Sequence, residues 1–238
     1  MTRLFSLGTT AAALSLSGCA ANPADNVPRA ETSAPQAAPA APQAAPSTDA
    51  PPAVVKSAAE PATAAGASSG ALAISPETSK VEFVGSKVTG SHSGGFKAFS
   101  GTAELAPDRA SLAALNVEID MNSTWADDPK LTGHLKAPDF FDVAKFPKAT
   151  FVTTAIKPGG DKGATDTTHT VTGNLTLHGV TKSISFPARI AMTDGGLTLA
   201  SEFSLNRKDF GITYAGMADN AIRNEVVIKL DVKAPGKA

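Results

Sequence analysis

Between Lys80 and Val232 the chain repeats one pattern eight times: a short run of alternating apolar and polar residues, followed by a turn. Alternation with a period of two is typical of a β-strand that has one buried and one solvated face. Few helical stretches separate the runs, so the pattern predicts an all-β fold, namely an eight-stranded antiparallel barrel. The predicted strands are 80–85, 96–105, 115–121, 149–156, 170–177, 183–192, 197–205 and 225–233.

The connections between these strands differ in length. The Gly/Ser-rich run at 89–95 predicts a turn, and Pro187 predicts an interrupted pairing in the sixth strand, because proline lacks a backbone N–H. A longer insertion at 122–148 predicts a short helical element, broken by prolines. Within it, Asp139 is predicted to cap a helical turn at 140–144.

Alternation alone leaves open which face of the barrel is apolar, since an outer-membrane barrel is apolar outside and polar inside. Such a barrel needs an aromatic belt at each end, whereas Trp125 and Tyr214 are the only Trp and Tyr of this chain. Charged strand residues such as Glu118 and Lys229 also favour an outer face in water. We therefore expect a water-soluble barrel with an apolar interior.

The sequence before the strands has a different composition. Nine of the 17 prolines lie between Pro23 and Pro61, alanine dominates there, and no aromatic residue occurs. Such a stretch buries too little apolar surface to offset the entropy of ordering it. Residues 19–73 are therefore predicted to form a disordered tether, and residues 74–238 are predicted to form the barrel domain.

The first residues predict an export signal. Arg3 precedes an apolar run that ends in LSGC at 16–19, which matches the bacterial lipobox. We expect residues 1–18 to be a lipoprotein signal peptide and Cys19, the only cysteine, to carry a lipid anchor. An ordinary signal peptide cleaved near Ala20 is the alternative. Because no Asp follows the cysteine, the predicted location is the periplasm, on a lipid anchor in the outer membrane.

Side chains with catalytic or metal-binding chemistry are few and scattered. The formal net charge is -1, and no cluster of Lys and Arg predicts a nucleic-acid surface. The four histidines, His92, His134, His169 and His178, lack the spacing of metal ligands. We therefore expect no metal, no cofactor and no catalytic residue, and we expect that the protein is not an enzyme.

Four segments of the chain carry a family resemblance: GGFKAFSGTAEL (94–105), HLKAPDFFDVAKFPKATF (134–151), VTGNLTLHGVTKSISF (171–186) and NRKDFGI (206–212). In this order they resemble the YceI-like family of lipid/polyisoprenoid-binding proteins, and the resemblance covers nearly all of 77–233. It implies a lipocalin-like barrel whose elongated apolar cavity holds a long isoprenoid tail. Some members carry an Arg-Asp pair shortly before the His-Leu, where this chain has Thr132 and Gly133.

Apolar residues on the inward faces of the predicted strands are expected to line the cavity, and a Phe pair in the insertion is expected to flank its mouth. The alternative is that these side chains fill the barrel completely. Candidates for contact with a head group or for the mouth are His134, Arg207 and Asp209, although the last two could instead pair with each other. The expected lipid-binding residues are Phe83, Phe99, Val117, Ile119, Phe140, Phe141, Phe151, Leu175, Leu177, Ile184, Phe186, Leu199, Phe203, Ile228 and Leu230.

The expected function follows from the chemistry of such a ligand. Removing a polyprenyl tail from water contributes about 3–4 kcal/mol gross per five-carbon unit. We therefore predict a periplasmic, lipid-anchored protein that sequesters or carries isoprenoid lipids of the polyprenol or quinone type. Its expected partners are this lipid and the membrane, and a homodimer is left open. Two alternatives remain: an envelope interaction module with a filled barrel, and an enzyme that acts on an isoprenoid head group.

Overall fold

The computed structural model describes residues 21–37, 71–108, 110–159, 166–193, 195–217 and 220–236. In these ranges the chain forms fourteen β-strands and one α-helix, α1, at Pro129–Leu135. The strands are β1 Glu31–Ser33, β2 Ala71–Ile74, β3 Lys80–Lys87, β4 Gly90–Phe96, β5 Phe99–Leu105, β6 Leu112–Asp120, β7 Thr124–Ala126, β8 Lys148–Pro158, β9 His169–Leu177, β10 Val180–Thr193, β11 Gly196–Asn206, β12 Gly216–Met217, β13 Asn220–Ala221 and β14 Glu225–Pro235.

Twelve of these strands form one antiparallel sheet that curves into a barrel. The order of hydrogen-bonded neighbours is β2-β5-β6-β8-β9-β10-β11-β14-β3-β4-β7, and β1 pairs with β10 beside this path. The last strand, β14, pairs with β3, which is among the first. The inner faces of the strands therefore meet around a shared core. The short strands β12 and β13 form a separate hairpin.

The prediction of an all-β antiparallel fold with a short helix is confirmed, with the sheet curved into a half-barrel whose end strands, β2 and β7, do not pair with each other. The predicted count of eight strands is wrong. Each predicted strand corresponds to one strand of the structure, although 96–105 also includes Phe96 at the end of β4. Six further strands occur in the described ranges: β1, β2, β4, β7, β12 and β13. Apart from β4, each of these has at most four residues. Alternation cannot be recognised over so short a run.

Strand β4 occupies the Gly/Ser-rich run for which the sequence predicts a turn, so that prediction is wrong. The glycines there permit close packing rather than chain reversal. A Cβ on Gly94 would lie 2.5 Å from the Phe83 ring and 2.5 Å from the Trp125 carbonyl oxygen. A Cβ on Gly95 would lie 2.8 Å from the Val81 carbonyl oxygen. Only glycine lets β3, β4 and β7 approach one another this closely.

The insertion between β6 and β8 holds α1. Asp128 caps this helix by accepting hydrogen bonds from the backbone N–H groups of its first turn, and a proline occupies the first helical position. The prediction that Asp139 caps a turn at 140–144 is wrong. The N–H groups of Phe141 and Asp142 donate instead to the carbonyl oxygens of Leu135 and Ala137.

Residues 22–36 pack against the barrel, so the prediction of a disordered tether is wrong for this part of the chain. A 3-10 helix, Pro23–Asn26, is capped by Asn22, and β1 pairs with β10. The methyl groups of Ala24 and Ala30 are buried. Composition does not predict this, because the barrel supplies the hydrogen-bond partners and the cover that the segment itself lacks.

The other N-terminal predictions lie outside the described residues. These are the signal peptide at 1–18, the lipidation site Cys19 and the tether at 38–70. On the C-terminal side of the tether, the described chain resumes at β2, slightly before the predicted domain boundary at residue 74.

Candidate functional site

The residues predicted to line a cavity come together in the structure. All fifteen belong to two hydrophobic clusters of the described residues, which we name the main cluster and the end cluster. The main cluster occupies the barrel interior, where five predicted residues are at most 7% exposed. These five are Phe99, Ile184, Phe186, Leu199 and Phe203.

Seven further predicted residues pack against the main cluster but keep part of their surface exposed. They lie on two walls, since β6, β8 and β9 are consecutive in the sheet, whereas β14 is separated from them by β10 and β11. Accessible apolar surface thus occurs on two separate parts of the barrel wall. The residues are Val117, Ile119, Phe151, Leu175 and Leu177 on the first wall, and Ile228 and Leu230 on β14.

A row of aromatic rings runs through the main cluster. The rings of Phe186 and Phe203 stack at 12°, with their centroids 4.4 Å apart. The ring of Phe151 lies 5.8 Å from that of Phe186. The row links β8, β10 and β11 through the interior.

Two clefts lie away from this row. One has a volume of about 400 Å³ and opens at the β10–β11 hairpin, where Leu197 and Pro235 are among its lining residues. The other, of about 430 Å³, lies between residues 29–32 and Asp209. None of the fifteen predicted cavity residues lines either cleft. Asp209 therefore lies beside β1 rather than in the end cluster.

The end cluster covers the helix-bearing end of the barrel. The rings of Phe83, Phe96 and Phe141 form a triangle with centroids between 5.8 and 6.3 Å apart. Leu177 and Ile228 pack against both clusters, so the apolar lining continues from the interior to this end. The Phe pair of the insertion lies here, at the end where the sequence predicts a mouth.

A polar pair borders the end cluster. The Nε2 atom of His134 is 2.6 Å from a carboxylate oxygen of Asp139. The imidazole packs edge-on against the rings of Phe140 and Tyr214, with centroids 4.9 and 5.0 Å away, and 39% of the His134 side chain is exposed. The imidazole is thereby held between apolar rings and water. Tyr214 is absent from the predicted site, although its being the only Tyr of the chain could have indicated it.

Arg207 lies beneath the loop that precedes β14, not at the mouth. Its side chain is 5% exposed and donates hydrogen bonds to the backbone carbonyl oxygens of Ile212 (2.7 Å) and Arg223 (3.1 Å). Burial lowers the pKa of its guanidinium, and the charge of Glu225 opposes this effect. Arg207 is thus bonded to backbone carbonyl oxygens of the loop. It does not pair with Asp209, and it is not exposed for contact with a head group.

The described ranges contain no group of three or more His, Cys, Asp or Glu side chains that could hold a metal ion. The two His–Asp contacts in these ranges, His92 with Asp127 and His134 with Asp139, bring together only two such side chains each. No helix within these same ranges is long and apolar enough to cross a membrane.

Comparison with known sequences identifies relatives over the barrel. The profile of the YceI-like domain matches residues 72–234. A UPF0312 protein of Pseudomonas putida strain W619 is 32% identical over 142 residues, which are 57% of this chain and 71% of that protein. Protein YceI of Salmonella arizonae is 36% identical over 126 residues, which are 50% of this chain and 63% of that protein.

Solved structures share the fold. The crystal structure of Burkholderia cenocepacia BcnA aligns with a TM-score of 0.58 at 27% identity, covering 67% of this chain and 98% of BcnA. A polyisoprenoid binding domain from Saccharophagus degradans, implicated in plant cell wall breakdown, aligns with a TM-score of 0.53 at 20% identity. That alignment covers 69% of this chain and 99% of the domain, and at this identity it shows a common fold.

Proposed function

Because the chain belongs to the YceI-like family, we propose that it is a binding protein, not an enzyme, and that it takes up an isoprenoid lipid in its barrel. The observation that carries this proposal is the partly exposed apolar surface on β6, β8 and β9 and on β14, which Leu177 and Ile228 continue to the end cluster. A domain of the same fold is described as polyisoprenoid binding. We infer a ligand of the polyprenol or quinone type.

The lining suits a long branched hydrocarbon. Each five-carbon unit removed from water contributes about 3–4 kcal/mol gross, from which the entropic costs of binding are subtracted. Aliphatic and aromatic walls form no directional hydrogen bonds with a ligand, so the length and girth of its tail decide which lipid fits. The stacked rings of Phe186 and Phe203 lie in the main cluster, and we expect at least one of them to change rotamer when a tail enters.

The end cluster offers the polar contact that a head group needs. The His134–Asp139 pair and the ring of Tyr214 lie beside the apolar lining. An imidazole held by a carboxylate can donate to or accept from a hydroxyl or carbonyl oxygen. We propose that the ligand lies with its tail in the main cluster and its oxygen-bearing end at His134.

Two matched substitutions test this proposal. In Leu177→Trp a bulky ring enters the junction of the two clusters, whereas in Val152→Trp the same ring is placed on the outside of β8, where Val152 is 38% exposed. The full chain is purified from its native host, extracted with organic solvent, and the extract is examined by mass spectrometry. We expect an isoprenoid lipid with the natural chain and with Val152→Trp, and at least a tenfold lower yield with Leu177→Trp.

The same experiment separates the alternatives. The aromatic row of Phe151, Phe186 and Phe203, which packs in the main cluster, favours an interaction module as the second candidate function. Extracts without any lipid, together with no binding of added farnesol, would support that module and reject the carrier. Chemical conversion of added lipid would instead reveal an enzyme.

We further propose that the sulfur of Cys19 carries a diacylglyceryl group and that the barrel resides in the periplasm, attached to the outer membrane. The lipobox-like sequence at 16–19 supports this, and Ala20 after the cysteine favours the outer membrane. Metabolic labelling with an alkyne analogue of palmitate is expected to mark the natural chain and not Cys19→Ser. Equal labelling of both chains, or of neither, would contradict the anchor.

A further inference from the structure

Strands β10 and β11 pair along only part of their length. Five residue pairs join them next to their hairpin, the last being Arg189 with Ala200. Toward the helix-bearing end, β10 continues to pair with β9 and β11 with β14, but the described residues 180–188 and 201–206 form no ladder with each other. Pro187 lies next to the point where pairing stops, which agrees with the predicted interruption. The barrel wall therefore has a gap between these strands.

Residues 28–33 fill this gap. The N–H of Ala30 donates to the carbonyl oxygen of Ser204 (2.9 Å), and the N–H of Ser204 donates to the carbonyl oxygen of Pro28 (2.8 Å). On the other side, β1 pairs antiparallel with β10, with Thr32 opposite Ile184. The segment is thus hydrogen-bonded to β10 and β11 at once and completes the wall.

The segment contacts the interior through one small side chain. Ala30 is 4% exposed and belongs to the main cluster together with Phe186 and Phe203. Ser183 and Ser204, on the strands that border the gap, are only 1% and 2% exposed. The position of Ala30 therefore takes a small apolar residue that packs into the main cluster.

Apart from Ala24, which is also buried, the other contacts of residues 22–36 are polar and lie at the surface. Gln36 exchanges two hydrogen bonds with the side chain of Asn174, at 2.9 and 2.6 Å. The hydroxyl of Ser86 donates to the side chain of Asn22 at 3.2 Å. The Arg29 side chain is 60% exposed. Backbone pairing with one buried methyl is how extended peptides add to the edge of a sheet, and it involves little apolar surface that would make the attachment permanent.

We propose that the gap between β10 and β11 is a strand-acceptor site and that residues 28–33 are its exchangeable occupant. The site recognises an extended peptide with a small apolar residue at the position of Ala30 and polar residues around it. When the occupant leaves, the edges of β10 and β11 present unpaired N–H and C=O groups, and the Phe186–Phe203 stack becomes accessible from the side. This site does not depend on the proposed lipid.

Release of the segment is measured first. Ala30→Asp places a carboxylate in the main cluster, where its burial is unfavourable, and is expected to expel residues 28–33. Arg29 is the only Lys or Arg between residues 4 and 55, so tryptic cleavage after Arg29 reports release. We expect cleavage of the full Ala30→Asp chain at least tenfold faster than that of the natural chain. Ala34→Asp, at an exposed position of the same segment, is expected to be cleaved at the natural rate.

Occupancy of the vacated site is measured next with a fluorescent peptide of residues 26–36. We expect it to bind the full Ala30→Asp chain at least tenfold more tightly than the natural chain, whose site is filled. The same peptide carrying Ala30→Asp is expected not to bind. A natural chain that forms dimers which Ala30→Asp abolishes would also support the proposal, because the segment of a second copy then fills the site.

A second variant guards against a general loss of folding. Asn174→Ala removes the contact with Gln36 from the barrel surface and leaves the core unchanged, so intermediate rates of cleavage and intermediate peptide binding are expected. Rapid cleavage without peptide binding in both variants would overturn the proposal, because the gap then closes when its occupant leaves. Cleavage at the natural rate in both variants would overturn it as well, since the segment is then a fixed part of the wall.

Discussion

Gly94 shows how a missing side chain positions the end cluster. Gly94→Ala would force a methyl group into the Phe83 ring and the Trp125 carbonyl, and overpacking of this kind costs about 1–3 kcal/mol. We expect urea unfolding to show a loss of about 2 kcal/mol in the free energy of unfolding. Gly85→Ala is the matched control on β3, where nothing lies within 4 Å of the added methyl. Equal losses in the two variants would contradict the role of close packing at Gly94.

Arg207 braces the loop before β14 through backbone carbonyl oxygens rather than through Asp209. Arg207→Met would keep its apolar stem but leave the carbonyl oxygens of Ile212 and Arg223 without their donor. Buried unpaired acceptors cost about 1–3 kcal/mol each, so we expect the free energy of unfolding to fall by about 3 kcal/mol in chemical denaturation. Lys208→Met, at the exposed neighbouring position, should leave it nearly unchanged. A comparably small effect at both positions would argue against a bracing role.

The residues of the site divide by the kind of signal that marks them. The inward Phe, Leu and Ile residues could be predicted because they alternate with polar residues along their own strands. The imidazole of His134 and the ring of Tyr214 meet across about 80 residues of sequence, and only the folded chain brings them together. Ala30 has no sequence signal, since its burial depends on a gap in strands that lie far away in the chain.

Strand β7 is an element held by a carboxylate as well as by its ladder with β4. Asp127 follows β7 directly and accepts a hydrogen bond from the N–H of Ser93 at 2.9 Å. This bond is the largest cause that lowers the pKa of Asp127, and contact with His92 adds to it. Because the folded pKa lies below the unfolded one, the resulting stabilisation is present above about pH 4 and is lost as the pH falls through the folded value.

Asp127→Asn is the test of this contribution. The group is largely exposed, so we expect a difference from the natural chain of no more than about 1 kcal/mol at neutral pH. The difference should shrink as the solution is acidified below about pH 4, because the natural carboxyl is then protonated. Urea unfolding of both chains at pH 7 and pH 3 measures it. A difference that is the same at both pH values would mean that the carboxylate charge is not the cause.

At the scale of elements, strands with long alternating runs could be predicted and strands made by tertiary packing could not. The inward positions of β10, from Ile184 to Ile190, repeat every second residue and mark the strand. In β4 the glycines break the alternation, since their role is to admit the rings of β3 and β7. In β1, three residues gain strand geometry only from β10, which lies about 150 residues further along the chain.

The barrel as a whole should respond to its ligand by melting at a higher temperature. A ligand at about 100 times its dissociation constant adds about 2.7 kcal/mol to the free energy of unfolding, which corresponds to about 5–10 °C in Tm for a domain of this size. Calorimetry of the full chain with farnesol is expected to show such a shift. Leu177→Trp should melt at a temperature that farnesol does not change. An unshifted Tm for the natural chain would argue for the filled module.

At the scale of the molecule, the convergence of the lining could be predicted because every inward face of a barrel points at one axis. The sequence could not predict whether the space along that axis is open, because this depends on strand tilt and on side-chain rotamers. The stacking of Phe186 on Phe203 is an outcome of both. The gap between β10 and β11 is likewise a property of the assembled wall, for which Pro187 was a partial signal.

The attachment of residues 22–36 also sets how far the barrel can stand from a bilayer. With a lipid-modified Cys19, as proposed above, three residue steps to Asn22 span at most about 11 Å. Asn22 touches Ser86 near the helix-bearing end, so that end would rest at the lipid headgroups. Detachment of residues 22–36 would lengthen the connection between the lipid anchor and the barrel to about 50 residues, which as a flexible coil would span roughly 40 Å. The attachment of residues 22–36 as a whole would thus decide whether the barrel stays at the membrane or extends away from it.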